Sequence, residues 1–361
     1  MAYTTSSVLT TTTLVKYLKK KVEPIYRRSV FMGGLKEHGC QSFGAVNSGE
    51  WMEWRPVVSR AKLVAQDPYN VQTSFPSRNR RIKLTLPWRV YGLGEKIVKF
   101  DRLANRGNDV QFVKLVDDCV KQMASDFVED FREKLYVDGS ASATSQDIHG
   151  LQSCTGDTGS VVSGGYVADP DDTYAGKTTD LGDQGGTWSG TWPDGTGSTE
   201  YHCMSPIMVD VNNSGFTGDT WSENWQEALN FLLLYMGRLN NRDPDAVILN
   251  TEWMRQAMDS LATNDRFLVD GNTRTSNLGH KAILYKGIEL YHEYACPSDM
   301  GFAFNWDNLE LRSMQDELIG TEGDFEIDSS DQLKKLDFYG NLQIWLPGQL
   351  GVLKEVSTAG S

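Results

Sequence analysis

The sequence predicts an α+β protein, and three observations predict it. Residues 109–136 repeat apolar side chains at three- and four-residue steps, as one long amphipathic helix does. Residues 51–56 and 82–86 alternate apolar and polar side chains with period two, as half-buried strands do. A Gly-rich stretch then leads into helix, strand and helix again, and the chain closes on further strands, with no internal repeat.

At 361 residues, with 39% hydrophobic and 11% aromatic side chains, the chain has enough apolar material for two domains or one large irregular one. No apolar run reaches 18 residues, the longest lying near 231–236, so no helix is expected to span a membrane. The first residues, Met1-Ala-Tyr-Thr-Thr-Ser-Ser, hold no apolar signal core, which argues against export. The five cysteines, Cys40, Cys119, Cys154, Cys203 and Cys296, are widely spaced and form no C-x-x-C, so reduced thiols are expected rather than a zinc site or a disulfide framework.

The net charge of −13 is unevenly spread. Residues 1–106 carry +12 and residues 107–361 carry −25. The acidic balance excludes a protein that coats nucleic acid by global attraction. The basic third has two dense parts: Lys19, Lys20, Lys21, Arg27 and Arg28 in the first, and Arg55, Arg60, Arg78, Arg80 and Arg81 in the second. These fit either a solvated basic face or a basic arm and loop lying on an acidic body, its own or a neighbour's. Self-complementary charge of that kind favours repeated head-to-tail contacts.

The elements follow in order. Residues 1–30 read as an arm, a Thr/Ser run and a basic segment ended by Pro24, with little to build a core. In 50–100, Met52 and Trp54 alternate with Glu53 and Arg55, and Ile82, Leu84 and Leu86 alternate with Lys83 and Thr85. Between them 66–80 is polar and holds Pro68 and Pro76, so the pair reads as a long hairpin with 66–80 at its tip. The helix of 109–136 aligns Phe112, Val116, Cys119, Val120, Met123, Phe127, Phe131 and Leu135, with Asp109 able to cap its start and Gly139 following its end. Residues 139–218 hold 15 of the 34 glycines and read as an irregular, loop-rich layer or a mobile surface. A second helix spans 221–239, opened by a capping box at Thr220 and Glu223 and carrying Trp225, Leu229, Leu232, Leu233 and Met236. Ala246-Val-Ile-Leu249 reads as a short buried strand. A third helix, capped by Asn250 or Thr251, carries Trp253, Met254, Met258 and Leu261. Residues 282–290 read as a hairpin turning at Lys286-Gly287, and 337–347 as a strand with Leu342, Ile344 and Leu346 on one face.

No catalytic constellation emerges. Ala175-Gly-Lys-Thr178 matches the end of a phosphate loop, but Asp171 stands where the first glycine belongs. Asp169, Asp171, Asp172, Asp180 and Asp183 are acidic without the register of a calcium loop. The five histidines form no metal-binding pair, and no G-x-S-x-G occurs. Trp188 and Trp192 could stack a sugar or pin the Gly-rich stretch onto the body. No enzyme activity, cofactor or metal is expected.

This order of elements resembles the major capsid proteins of tailed bacteriophages, the HK97-like fold. Asp243-Pro-Asp-Ala-Val-Ile-Leu-Asn-Thr-Glu-Trp-Met254, Tyr285-Lys-Gly-Ile-Glu-Leu290 with Cys296-Pro and Gly301-Phe-Ala-Phe304, and Tyr339-Gly-Asn-Leu-Gln-Ile-Trp-Leu-Pro347 are similar to segments of that family. The resemblance implies an N-terminal arm and the start of a peripheral domain in 1–47, and an extended β-hairpin loop in 48–100. It places a spine helix of the peripheral domain in 101–140 and an axial domain with the Gly-rich region in 141–300. Closing strands of the peripheral domain would occupy 301–361. It implies a shell subunit made in the bacterial host cytoplasm and residing in the virion, forming hexamers and pentamers of an icosahedral head. Its partners would be copies of itself, a portal, a separate scaffolding protein, possible decoration proteins and the packaged double-stranded DNA by proximity. Arg55, Arg60, Arg78, Arg80 and Arg81 would make inter-subunit contacts through the loop, and Lys19, Lys20, Lys21, Arg27 and Arg28 would make arm contacts. Some relatives crosslink through a loop lysine. Residues 66–80 contain none, so no self-crosslinking is expected. The chain starts almost at the arm, so no built-in scaffolding segment is expected. An encapsulin-like compartment shell is one alternative. A secreted β-rich carbohydrate-binding or hydrolytic protein using Trp188 and Trp192 is another, and a metal-dependent enzyme a third.

Overall fold

The computed structural model describes residues 28–44, 46–58, 81–97, 109–142, 144–162, 166–182, 202–212, 215–218, 220–238, 242–263, 273–275, 281–326 and 332–355. It is α+β. In chain order the elements are α1 (Val30–Glu37), β1 (Gln41–Phe43), β2 (Trp51–Trp54), β3 (Leu84–Pro87), β4 (Arg89–Ile97) and α2 (Asp109–Lys134). Next come β5 (Asp157–Val162), β6 (Val167–Pro170), β7 (Thr173–Tyr174), β8 (Lys177–Thr178), β9 (Ile207–Asp210), α3 (Trp221–Met236), β10 (Ala246–Asn250) and α4 (Thr251–Thr263). The chain ends with β11 (Thr273–Thr275), β12 (Lys281–Tyr285), β13 (Ile288–Glu293), β14 (Met300–Phe304), β15 (Leu309–Ser313), β16 (Gly320–Glu326), β17 (Gln332–Ile344) and β18 (Gly351–Lys354).

A nine-stranded sheet, ordered β11-β12-β13-β10-β14-β18-β9-β6-β5, divides two cores. Its central strands are buried on both faces, which is why Ala246-Val-Ile-Leu249 reads as an unbroken apolar run. Val247, Leu249, Ala303, Val209 and Leu353 pack with α3 and α4. The alternate residues Ile248, Phe302, Phe304, Met208 and Val352 join the larger core. Trp221 and Trp253 stack at 4.2 Å, and the Trp221 Nε1 donates to the Trp253 carbonyl at 2.9 Å, locking α3 to α4. The β12–β13 hairpin turns where expected, with Lys286 and Gly287 both at positive φ (51° and 86°).

The second sheet is built on β17. Along one edge β17 pairs with β4, and along the other with β16 and then β15, which continues to β1. Beneath it lies α2, whose Met123, Phe127 and Phe131 are buried, as is Leu135 just past its end, with Phe131 packed edge-on to Phe338 at 4.8 Å. The side chains of 109–117 and 120 lie outside the described residues. Beyond the end of α2, Tyr91 Oη and Lys134 Nζ both donate to Asp147 Oδ1, at 3.0 and 2.8 Å, and so fasten β4 to the helix end.

Several expectations change. The stretch 1–47, expected to hold an arm and the start of a peripheral domain, contains the helix α1, whose Phe31, Met32 and Leu35 are fully buried. Eight residues with two glycines give no periodic signal, yet Gly34 is required: a Cβ there would sit 2.0 Å from the Trp306 ring. Residues 89–97, expected in the hairpin loop, leave it and pair along β17. The Gly-rich 139–218 contains β5 to β9, in runs too short for a periodicity argument. Segment 301–361 divides between the sheets, because most of β14 and all of β18 belong to the nine-stranded one and β15 to β17 to the other. A boundary at 300/301 therefore does not separate the two sheets. The capping box does not close: Thr220 Oγ1 donates to the Glu223 carboxylate instead of meeting a backbone amide, and Asn224 Oδ1 receives the Gly218 amide at 2.7 Å. Met258 is 46% exposed, because the buried stripe of α4 runs through Trp253, Met254 and Ala257.

Candidate assembly surface

The stem of the long hairpin is a two-stranded sheet. Trp51 opposes Pro87, Met52 opposes Leu86, Glu53 opposes Thr85 and Trp54 opposes Leu84, and an isolated bridge from Val57 to Arg81 extends it outward. Period two sends the two faces opposite ways. Met52, Trp54, Leu84 and Leu86 are buried in the larger core, and Trp54 Nε1 donates to the Trp345 carbonyl at 3.1 Å. Each such side chain contributes roughly 1.5–3 kcal/mol by leaving water, which is what holds a two-stranded sheet that would be marginal alone.

The outward row carries Trp51, Glu53, Arg55 and Val57, with Trp51 53% and Val57 56% exposed. Glu53 Oε1 accepts from Arg55 Nη2 at 2.7 Å and Nε at 3.0 Å, and Glu53 Oε2 meets Lys83 Nζ at 2.7 Å. The Lys83 and Arg55 hydrogen bonds hold the Glu53 carboxyl below the usual carboxylate range. With Arg81, the row has three cations against one carboxylate. An exposed face combining Trp, Val and Arg has the composition that carries binding energy at protein interfaces. The individual exposed ion pairs add little.

The exit of the arm is built as firmly as the stem. Ser29 caps α1 by accepting the Met32 amide at 3.2 Å. The buried Glu293 carboxylate accepts from the Phe31 amide at 3.0 Å, from Tyr136 Oη at 2.8 Å and from Ser29 Oγ. Burial pushes the Glu293 carboxyl above its ordinary range. One side chain thus joins α1, the end of α2 and β13. Beside it the exposed Arg28 donates from Nη1 to Ser125 Oγ of α2 at 2.5 Å.

Of the residues named from sequence, Arg55 and Arg81 lie on the stem and Arg28 at the arm exit. Arg60, Arg78, Arg80, Lys19, Lys20, Lys21 and Arg27 lie outside the described residues, as do Asp183, Trp188 and Trp192 and the hairpin tip. Sequence reasoning missed Trp51 and Val57, although both share the odd-numbered phase of Glu53 and Arg55 and could have been assigned to the same row. It also missed Glu293, the acid at the end of β13, whose burial no spacing rule signals.

The remaining motifs resolve into structure. Ala175-Gly176 is the two-residue turn between β7 and β8, with φ of 51° and 76°, and not a phosphate cradle. Asp172 receives the Gly156 and Thr173 amides at 2.9 and 2.7 Å, and burial, with Asp138 and Asp171 nearby, pushes its carboxyl up to about 6. Among the described residues no group of three or more His, Cys, Asp or Glu could hold a metal ion. None of the five cysteines is in a disulfide, with Cys119 half-buried and the rest buried. His149 is buried against Asn341, whose Nδ2 lies 3.0 Å from its Nδ1, and burial, helped by Arg89, lowers it to about 4. Among the described residues no helix is long and apolar enough to cross a membrane.

No protein-family model matches the sequence, and none of the curated proteins does. Among solved structures the chain is similar to a chain of the empty capsid of a GTA particle, at 10% identity and a TM-score of 0.48, covering 89% of this chain and 96% of that one. It is similar to a chain of the phage G assembly of gp27 major capsid and gp26 decoration proteins, at 9% identity and 0.45, covering 88% of each. It is also similar to a chain of the holo-SrpI encapsulin complex of Synechococcus elongatus, at 10% identity and 0.42, covering 88% and 86%.

Proposed function

We propose that the chain is a shell-forming subunit with the HK97-like arrangement, the major capsid protein of a tailed-bacteriophage head, with a structural and not a catalytic role. The observation that supports this most is the stem: one face is locked into the core, and the other presents Trp51, Val57, Arg55 and Arg81 outward with no partner element of the chain across them among the described residues. A side built so differently from its reverse is suited to a neighbouring copy. The order of arm exit, extended hairpin, spine helix α2, nine-stranded sheet and closing strands supports the same reading.

In this reading the loop region 55–106, at +9, lies over the acidic body of a neighbour, and hexamers and pentamers form by repetition of that contact. Arg28, with the basic residues before it, extends the contact from the arm. Packaged double-stranded DNA meets a wall whose 107–361 portion is strongly negative, so it is enclosed without being bound tightly. A portal, a scaffolding protein and a decoration protein are the further partners, and the virion the final location after assembly in the bacterial cytoplasm.

The test is negative-stain electron microscopy with light scattering on the purified protein, alone and co-expressed with a scaffolding protein. Closed shells or capsomer rings are expected. Shells that enclose a protein cargo and no DNA would move the reading to a compartment shell. A 40 kDa monomer under both conditions would overturn it.

A further inference from the structure

The β7–β8 hairpin sits where three parts of the molecule meet. Its root is on the side of the nine-stranded sheet: the Thr179 amide donates to the Asp172 carbonyl at 2.8 Å, and Ser205 Oγ, just before β9, donates to the Thr179 carbonyl at 2.5 Å. Its tip grips the stem. The Ala175 carbonyl accepts the Thr85 amide at 3.2 Å, on the edge of β3 away from β2, where Asn341 Nδ2 also donates to the Pro87 carbonyl at 2.9 Å. Its Tyr174 side chain is fully buried and reaches the other sheet, where Oη accepts the Ile344 amide at 2.9 Å at the end of β17. The Tyr174 ring also tilts against Trp54 at 6.3 Å and meets His149 edge-on at 6.4 Å. Trp54 in turn bonds the Trp345 carbonyl, so bracket and stem attach to two adjacent residues of the chain, Ile344 and Trp345.

Geometry at the tip singles out Ala175. A non-glycine residue at φ +51° is uncommon and costs backbone energy that the surroundings must supply. The turn could be made without strain by glycine, and Gly176 beside it, at φ +76°, is one. The strained residue is the one whose carbonyl holds the stem.

We propose that β7–β8 is a bracket in which Tyr174 and the Ala175 carbonyl position the stem of the extended hairpin against both sheets, and so set the angle at which the hairpin leaves the subunit. The second half, that this angle fixes the curvature with which copies join, rests on the shell reading. Tyr174 and Ala175 are positioning residues, since neither contributes to the outward row itself.

The experiment has a part in the free subunit and a part in the assembly. Ala175→Val puts a β-branched side chain where φ is positive and should displace the turn. Ala175→Gly relieves the strain and keeps the carbonyl in place. Tyr174→Phe removes only the acceptor for the Ile344 amide. Hydrogen exchange should quicken at least tenfold at Thr85 and along 51–54 and 84–86 in Ala175→Val. The central strands β10 and β14 should exchange as in the parent, and Ala175→Gly should match the parent throughout. Tyr174→Phe should quicken Ile344 and the stem together, and it decides the matter if Ala175→Val does not fold. In assembly, Ala175→Val or Tyr174→Phe should give shells of mixed diameter, and Ala175→Gly shells of one diameter. Unchanged stem exchange in a folded Ala175→Val or Tyr174→Phe subunit would overturn the bracket. Quickened stem exchange with uniform shells would overturn its link to curvature. If the parent forms no shells at all, the shell reading fails while the exchange result still decides the bracket.

Discussion

In β10, Val247 and Leu249 pack with α3 and α4 while Ala246 and Ile248 pack in the opposite core. In β2, Met52 and Trp54 enter the core while Trp51 and Glu53, and Arg55 just beyond the strand, face water. Both are short strands, but β10 pairs with β13 on one edge and β14 on the other, while β2 pairs with β3 alone. The first has no face left to offer, so its side chains can serve only the stability of the subunit. The second has one face for stability and one for something else, and a Trp half-exposed beside a Val and two arginines costs solubility unless a partner covers it. The contrast teaches where to look for an assembly surface in this molecule: not at the nine-stranded sheet but at the two-stranded stem.

The sharpest break of that contrast is Phe127→Asp. It places a carboxylate where Phe127 stacks on Phe131 at 5.5 Å beneath β17. A loss of roughly 4 kcal/mol or more is expected, read as failure to accumulate soluble protein with native circular dichroism. Glu293→Ala comes next. Three donors, the Phe31 amide, Ser29 Oγ and Tyr136 Oη, would lose their acceptor inside the protein. About 3–5 kcal/mol should disappear from the urea unfolding free energy, with Glu293→Gln costing less.

His149 gives a pH test of the buried side of the contrast. Its folded-state value, about 4, lies below the ordinary histidine value, so the neutral ring is the form the fold accepts. Its contribution is complete above about pH 6.5 and is lost as pH falls toward 4, by up to about 3 kcal/mol. Thermal melts of His149→Gln should lose less stability between pH 6.5 and 4.5 than the parent does. Equal slopes would show that His149 already ionises freely in the fold.

The stem then separates its own two faces. Trp54→Ala should cost about 3 kcal/mol of subunit stability. Trp51→Ala should change stability by less than about 0.5 kcal/mol yet reduce assembly, measured by sedimentation of the products. The smallest effect on the subunit is expected from charge reversal of Arg78, Arg80 and Arg81 together. Unfolding should be unchanged within about 0.5 kcal/mol while shell formation weakens or fails. Normal shells from that triple variant would sink the basic-loop contact.

The elements legible in the sequence were those with a long or clean period. The helix at 109–136 appears as Asp109–Lys134, and the stem alternation at 51–54 and 84–87 appears as a buried and an exposed row. The Lys286-Gly287 turn was readable because two-residue hairpins demand positive φ, which Gly supplies. Residues whose importance lies in distant partners were not legible. Gly34 is explained by Trp306, Glu293 by Ser29, Phe31 and Tyr136, and Tyr174 by Ile344, Trp54 and His149. Ala175-Gly-Lys-Thr178 shows the same limit from the other side. Four letters that match half a phosphate loop build a turn and the strand β8, where a phosphate loop would open a helix.

By itself the sequence determined the α+β class, the long amphipathic helix, the division of charge between a basic third and an acidic remainder, and which side chains of the stem share a row. These come from local periodicity and from composition, which need no knowledge of what lies across a gap. Only the tertiary structure decided that β14 and β18 join the nine-stranded sheet, that 89–97 leaves the hairpin for β17, and that the β7–β8 turn lands on Thr85. Strand pairing and buried hydrogen bonds join residues far apart in the chain, and the energy that selects one partner over another arises only when water has been removed from both.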